Sequence, residues 1–399
     1  MPMEPGKVSL KPFSLRCPSD VIFFLFVVLF ITSILGNFLY TWDVVGYVGA
    51  ALSWQTSDPL AVHSQTYELL RLELPEQAFA GLLGGPYATA MATNAEQFYS
   101  QLDMYRIKPL YVGLLTVLNA IGLSLVDAGK VLSVVPAALL CVLIYAWLKR
   151  HVSANFALSI TVLLSLCSRL FDVARAILPD SLSALILVLA VCLWLERPAT
   201  ARWAFILLVL SILVRTNNIL FVAPLLAYVA YAESRLRGWQ SSSVREPAIV
   251  LVAAVICYFV VSASFNHQWW RLFHHTFIES IVDINTFAVN FSFDQYLQVL
   301  STRLRQIVIG NFVMVTNLLP FLLFAILALL ASRGRFATLR MIVVICFLNF
   351  VCYFLMFPLV ESWDRFFIPF YIFIVMLAVQ SVADNIRSSN NNQVLVSGV

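Results

Sequence analysis

Apolar residues gather in ten runs, near 20–41, 127–149, 153–171, 181–196, 201–214, 217–232, 247–265, 307–331, 340–358 and 365–384. A helix rising about 1.5 Å per residue crosses a hydrocarbon core of about 30 Å in about 20 residues, so each run predicts a membrane span. Ten spans return the chain to the side on which it began. Runs 201–214 and 217–232 are short, meet at Arg215-Thr216-Asn217-Asn218, and are readable as a broken pair. The expected fold is all-α and polytopic: one integral-membrane domain over 20–384, between an N-terminus at 1–19 and a tail at 385–399.

The stretches between the runs are unequal. Two are long, 42–126 and 266–306, and long loops in compact proteins are often functional. The first holds helix-like stretches, Val44 to Trp54 and Thr66 to Phe79, and a break at Gly84-Gly85-Pro86, so it predicts juxtamembrane helices. Lys108 to Leu125 is apolar enough to pass for a further span. If it crossed, Lys149-Arg150-His151 would change sides and every later loop would invert. An interfacial or re-entrant helix there keeps the Lys/Arg pattern intact.

That pattern sets orientation. On the ten-span reading, 14 of the 25 Lys and Arg lie on the side of the termini, but only 6 of the 21 Asp and Glu. Both termini are therefore expected in the cytoplasm. Composition adds the environment: 61% hydrophobic and 12% charged residues require a lipid bilayer around the chain. The net charge of +4 is loop chemistry and gives no reason to expect nucleic acid. The N-terminal run is long and lacks a small-residue cleavage site, so no cleavable signal is expected. None of the seven Cys falls in an expected outer loop and no CxxC pair exists, which argues against disulfides and thiolate metal sites.

Four polar clusters fall on the expected outer face. In Thr41-Trp42-Asp43-Val44-Val45-Gly46-Tyr47, the residues Asp43, Tyr47 and Ala51 recur every four positions and would share one face of a helix lying along the membrane surface. Asp43 suits either a helix N-cap or a general base at the lipid–water boundary. Asp103-Met104-Tyr105-Arg106-Ile107-Lys108 closes the first loop. Arg106 and Lys108 there suit either interface anchoring or a clamp on phosphate. The third cluster, Arg169, Asp172, Arg175 and Asp180, reads as ion pairs at helix ends or as a site. The fourth, Glu361-Ser362-Trp363-Asp364-Arg365-Phe366-Phe367-Ile368-Pro369, opens the last span, and its Asp364 and Arg365 could pair with each other. His267, His274 and His275 lack an acid or Cys at ligand spacing, so an interfacial aromatic-basic helix is expected there rather than zinc. Asn290-Phe291-Ser292 is a sequon that matters only in a eukaryote.

These pieces resemble the GT-C superfamily of membrane glycosyltransferases, nearest to the protein O-mannosyltransferase and lipid A aminoarabinose transferase type. Trp42-Asp43 with Tyr47 is similar to that group's acidic residue after the first span. Lys108-Pro109-Leu110-Tyr111 through Gly122 looks like its partly embedded helix, with one Pro missing. Asp172 or Asp180 fits its second acid, and Arg365-Phe366-Phe367-Ile368-Pro369 resembles its late Arg-Tyr-x-x-Pro element, with Phe for Tyr. The resemblance implies an inverting transfer of a sugar from a polyprenyl-phosphate donor to a glycan, lipid or protein acceptor. Asp43 would be the base. Arg106, Lys108 and Arg365 would hold the donor phosphate. Tyr47, Asp103, Asp172, Asp180 and Asp364 would orient the acceptor or a cation. No Asp-x-Asp pair exists in the first loop; no cofactor is specified, and a divalent cation is left open. A bacterial inner membrane is favoured over an ER membrane. Three rival readings stand beside this one: a polysaccharide polymerase or ligase working through 266–306; a transporter or flippase, for which Arg215 with Asn217-Asn218 is the candidate; and a structural membrane scaffold, against which the outer polar clusters argue.

Overall fold

Helix ends mark where the chain leaves the apolar phase, and those ends decide which residues meet. The computed structural model describes residues 17–196, 201–306, 337–358 and 363–397, together with Ile326. Every named element among the described residues is helical. The expected span at 307–331, apart from Ile326, lies outside them, as do Glu361 and Ser362.

Helix α1 is Pro18–Gly36; its Pro at the first position suits a helix start, where no N–H is needed. The first long loop forms seven helices: α2 (Trp42–Leu52), α3 (Pro59–Glu73), α4 (Glu76–Leu82), α5 (Pro86–Thr93), α6 (Ala95–Gln101), α7 (Asp103–Arg106) and α8 (Pro109–Ala120). There follow α9 (Leu125–Leu148), α10 (Ala154–Cys167), α11 (Leu170–Ala174), α12 (Asp180–Glu196), α13 (Ala201–Val214), α14 (Ile219–Arg237) and α15 (Ser242–Ser264). The second long loop supplies α16 (Trp269–Phe277) and α17 (Phe293–Arg305), and the chain ends in α18 (Ala337–Met356) and α19 (Trp363–Ser397).

Among the described residues, six helices are long and apolar enough to cross a membrane: α1, α9, the Thr216–Arg237 stretch, α15, α18 and the Asp364–Arg387 part of α19. These make the chain an integral membrane protein. Among the described residues the other expected spans are shorter helices: α10 and α13 have 14 residues each and α12 has 17. Helix α19 is the hub, 89% buried over its most apolar window, whereas α15 is 17% buried. Phe24, Leu29, Phe259 and Ile256 stay exposed on α1 and α15, and helices apolar all round suit a lipid surround. Helix α19 also runs on to Ser397, so the expected tail continues the last span as helix.

The two polar faces of the bundle are distinct. At one, Asp20 near the start of α1 accepts hydrogen bonds from Tyr145 and Lys149 at the end of α9. There too Arg150 pairs with Glu196 at the end of α12, and Arg387 donates to the His151 carbonyl. At the other lie α2–α8 and the start of α19.

The stretch 108–125 holds the short helix α8. Its 12 residues reach about 18 Å at about 1.5 Å each, short of a bilayer core. It ends at Gly122, whose φ of +104° only glycine adopts without strain. The chain then enters α9 through Ser124, whose hydroxyl accepts from the Asp127 N–H.

Helix α2 corrects one expectation. It is buried all round rather than on one face: Val44 through Leu52 are all buried, at the centre of the α2–α8 unit. Small residues make this possible. A Cβ on Gly46 would meet the Tyr105 ring at 2.2 Å, and one on Gly49 the Phe98 ring at 2.6 Å.

Candidate functional site

Residues from α2, the α7–α8 junction, the α13–α14 turn, α15, α16, α18 and the start of α19 enclose a cavity of about 340 Å³. Four of its lining residues are charged: Asp43, Lys108, Arg215 and Arg365. They are separated in sequence by up to 322 positions, and each sits at a helix end or just outside one.

Asp43 is not the N-cap of α2. Thr41 holds that position with extended backbone, and Asp43 falls in the first turn. There the N-terminal end of the helix dipole favours a carboxylate. Its Oδ2 is 3.8 Å from Nη1 of Arg365. Tyr47 lies one turn on along the same helix. It is buried with its ring edge-on to Tyr105 and Tyr111 at 5.0 and 4.8 Å. Burial, and after it the Asp43 charge, push its phenol well above the usual range. Tyr47 therefore stays neutral and is absent from the cavity lining. Its ring instead carries the Lys108 ammonium, 5.0 Å from the centroid.

Lys108 and Arg106 part company because a helix junction lies between them. Arg106 ends α7 and turns inward: its Nε donates to Ser53 Oγ at 2.8 Å and its Nη1 pairs with Asp103 at 3.1 Å. Its guanidinium covers the Tyr99 ring at 4.5 Å. Arg106 thus braces the α2–α8 unit and is absent from the cavity lining, as is Asp103. Lys108 precedes Pro109 at the head of α8 and is half-buried in the cavity wall. Burial pushes its ammonium down to about 8, opposed by Asp43 and reinforced by Arg215.

Arg365 and Asp364 are adjacent yet diverge. Asp364 accepts from the Tyr371 hydroxyl at 2.7 Å and is absent from the cavity lining. Arg365 turns to Asp43, so the two do not form the mutual pair considered from sequence. The Arg365 Nε is buried and has no hydrogen-bond partner among the described residues. Such an atom costs roughly 1–3 kcal/mol unless a partner arrives.

Arg215 is the residue that sequence reasoning left off its site. It ends α13 before the Thr216–Asn218 turn; α14 then packs Phe221 against Phe370 and Phe373, alongside α19. Arg215 is held by an ion pair to Asp180 and by a bond from its Nε to Asn217 at 3.1 Å. Asp180 is buried and absent from the lining, so its observed role is to fix Arg215. Arg215 and Arg365 both lie over the Phe366 ring, at 4.2 and 4.8 Å. Asp172 does not join them: it is half-exposed among Arg169 and Arg175, at 3.2 and 3.9 Å.

The second long loop closes the cavity. His267, Trp269 and His275 line it, and the Trp269 indole N–H donates to the Met356 carbonyl at 2.6 Å. The expected interfacial helix is thus α16, seated across the site with Arg271, Phe273 and His274 buried. Only the density of aromatics and His in 266–306 hinted at this.

The cavity gathers three cations around one carboxylate, with a second carboxylate behind Arg215. It can hold an anion next to a group able to accept a proton. No cluster of three or more His, Cys, Asp or Glu side chains suited to a metal ion occurs among the described residues. No protein-family model, curated protein or solved structure matches this chain.

Proposed function

We propose that the chain is a GT-C-type membrane glycosyltransferase that moves a sugar from a polyprenyl-phosphate donor to an acceptor hydroxyl. One observation carries the reading: Asp43 lies 3.8 Å from Arg365 in a cavity that Lys108 and Arg215 share, at the start of the Thr216–Arg237 and Asp364–Arg387 helices, both long and apolar enough to cross a membrane. A lipid-linked donor requires that location, since its tail stays in the bilayer while its phosphate meets water.

In the proposed step the acceptor oxygen attacks the anomeric carbon and its proton passes to the Asp43 carboxylate. The bond from the anomeric carbon to the phosphate oxygen breaks, and the electron pair leaves with the polyprenyl phosphate. The phosphate gains one negative charge as it departs. Arg365, Lys108 and Arg215 oppose that growing charge, which is where fixed donors contribute most. The resemblance to GT-C enzymes implies that the configuration at the anomeric carbon inverts. The expected setting is the outer face of a bacterial inner membrane.

The test is transfer from a panel of labelled polyprenyl-phosphate sugars in membranes holding equal amounts of the chain or its Asp43→Asn variant. A positioned base contributes about 10²–10⁴ in rate, so the variant should lose about that much. Normal turnover by the variant would remove Asp43 from the mechanism. A transporter reading has one observation in its favour, the buried Arg215–Asp180 pair at a break between two helices. It predicts movement of the lipid-linked sugar across vesicles without any new glycosidic bond.

A further inference from the structure

We propose that Arg271 forms an oxyanion subsite beside the main cavity, taking a carboxylate or phosphate group carried by the acceptor sugar. The word acceptor rests on the glycosyltransferase reading; the anion site does not.

Arg271 is 7% exposed on α16. Its Nη2 donates to the backbone carbonyl of Asn266, and no carboxylate among the described residues forms an ion pair with it. The nearest acid is Asp103, already engaged by Arg106 at 3.1 Å. One carboxylate thus serves two guanidiniums, and one positive charge is left over in a largely dehydrated place. Buried charge without a counter-charge is costly, so this surplus is best explained by a counter-charge that arrives with a ligand.

The geometry agrees. Arg271, Asp103 and Gln268 line a small pocket of about 10 Å³, room for one water-sized group. This pocket and the main cavity share Met104, His267 and Leu272 as lining. The Arg271 pocket thus adjoins the main cavity across these three side chains. His267 adds no charge at this shared wall: burial first, then Arg271 and Lys108, push its imidazole down to about 4. It remains a neutral hydrogen-bonding group. The two adjoining subsites divide the work. Lys108, Arg215 and Arg365 face the donor phosphate, and Arg271 faces an anionic substituent of the partner that receives the sugar.

The experiment measures binding of three methyl glycosides to the full chain in nanodiscs of zwitterionic lipid. They share one ring: methyl glucoside, methyl glucuronide and methyl 6-phosphoglucoside. A charge-assisted contact predicts roughly tenfold tighter binding of at least one anionic probe than of the neutral one. The carboxylate and phosphate arms tell which oxyanion fits. Arg271→Gln should abolish the preference and leave the neutral probe unchanged, whereas Arg365→Gln should retain it. Asp103→Asn, on a partly exposed residue, should strengthen it about threefold, and this keeps the proposal testable if Arg271→Gln does not fold. Equal binding of all three probes by the unmodified chain overturns the subsite, as does a preference that survives Arg271→Gln or vanishes in Arg365→Gln. Failure here leaves sugar transfer intact, whereas failure of the transferase reading abolishes transfer and leaves the preference in place.

Discussion

The two polar faces of the bundle use the same residue types to opposite ends. At the Asp20 face one buried carboxylate meets one ammonium and one phenol, and Arg150 meets Glu196. These two pairs join one cation to one carboxylate each and bridge helix ends. At the opposite face, Lys108, Arg215 and Arg365 converge on Asp43, with Asp180 behind, and a buried Arg365 nitrogen lacks a partner among the described residues. A matched face holds helices together. A cavity that gathers three cations around one carboxylate is arranged for something that comes and goes. The distinction predicts that substitutions at the first face act on stability and those at the second on turnover.

Asp43→Asn should cost about 10²–10⁴ in transfer rate while leaving Tm within a degree or two; a large drop in Tm with it would make Asp43 a structural residue like Asp20. Arg365→Gln should cost about 10²-fold in kcat, the usual loss on removing one electrostatic donor. It should cost little in acceptor KM, so a pure acceptor KM effect would move Arg365 out of the donor site. Asp20→Asn should reverse the pattern, losing about 1–3 kcal/mol of stability with unchanged turnover per folded molecule. Denaturation of the purified chain checks the first half and single-turnover transfer the second.

Lys108 yields a pH prediction. Its ammonium titrates near 8, so the cation that opposes phosphate is present below that pH and lost above it. Transfer should fall on the alkaline side by up to about tenfold per unit. Lys108→Arg keeps its charge in this range and should flatten that limb. A limb unchanged by the substitution would assign the titration elsewhere. Asp172→Asn should have the smallest effect, under about 1 kcal/mol and no change in rate, because its ion pairs are exposed.

Much of the architecture was legible because a bilayer forces it. Long apolar runs become helices, and the run at 108–125 becomes the short helix α8. The site was legible only in part. Asp43, Lys108 and Arg365 stood next to span ends, where polarity changes abruptly. Arg106 is two residues from Lys108 and looked equivalent, but a helix junction sends it into the α2–α8 unit. Asp172 and Asp180 looked interchangeable, yet only Asp180 heads a helix that faces Arg215. His267 and Trp269 reach the cavity through the folding of a loop more than 200 residues from Asp43, a relation that local pattern does not encode.

Gly46 has a consequence that no charge inventory reveals. A single methyl group there would collide with the Tyr105 ring at 2.2 Å, and that ring lies 5.4 Å from the Lys108 ammonium. The position of the cation is thus set by an atom that is missing from the neighbouring helix. A mutational survey confined to polar side chains would pass over this position, though a change as slight as glycine to alanine there would displace the ammonium.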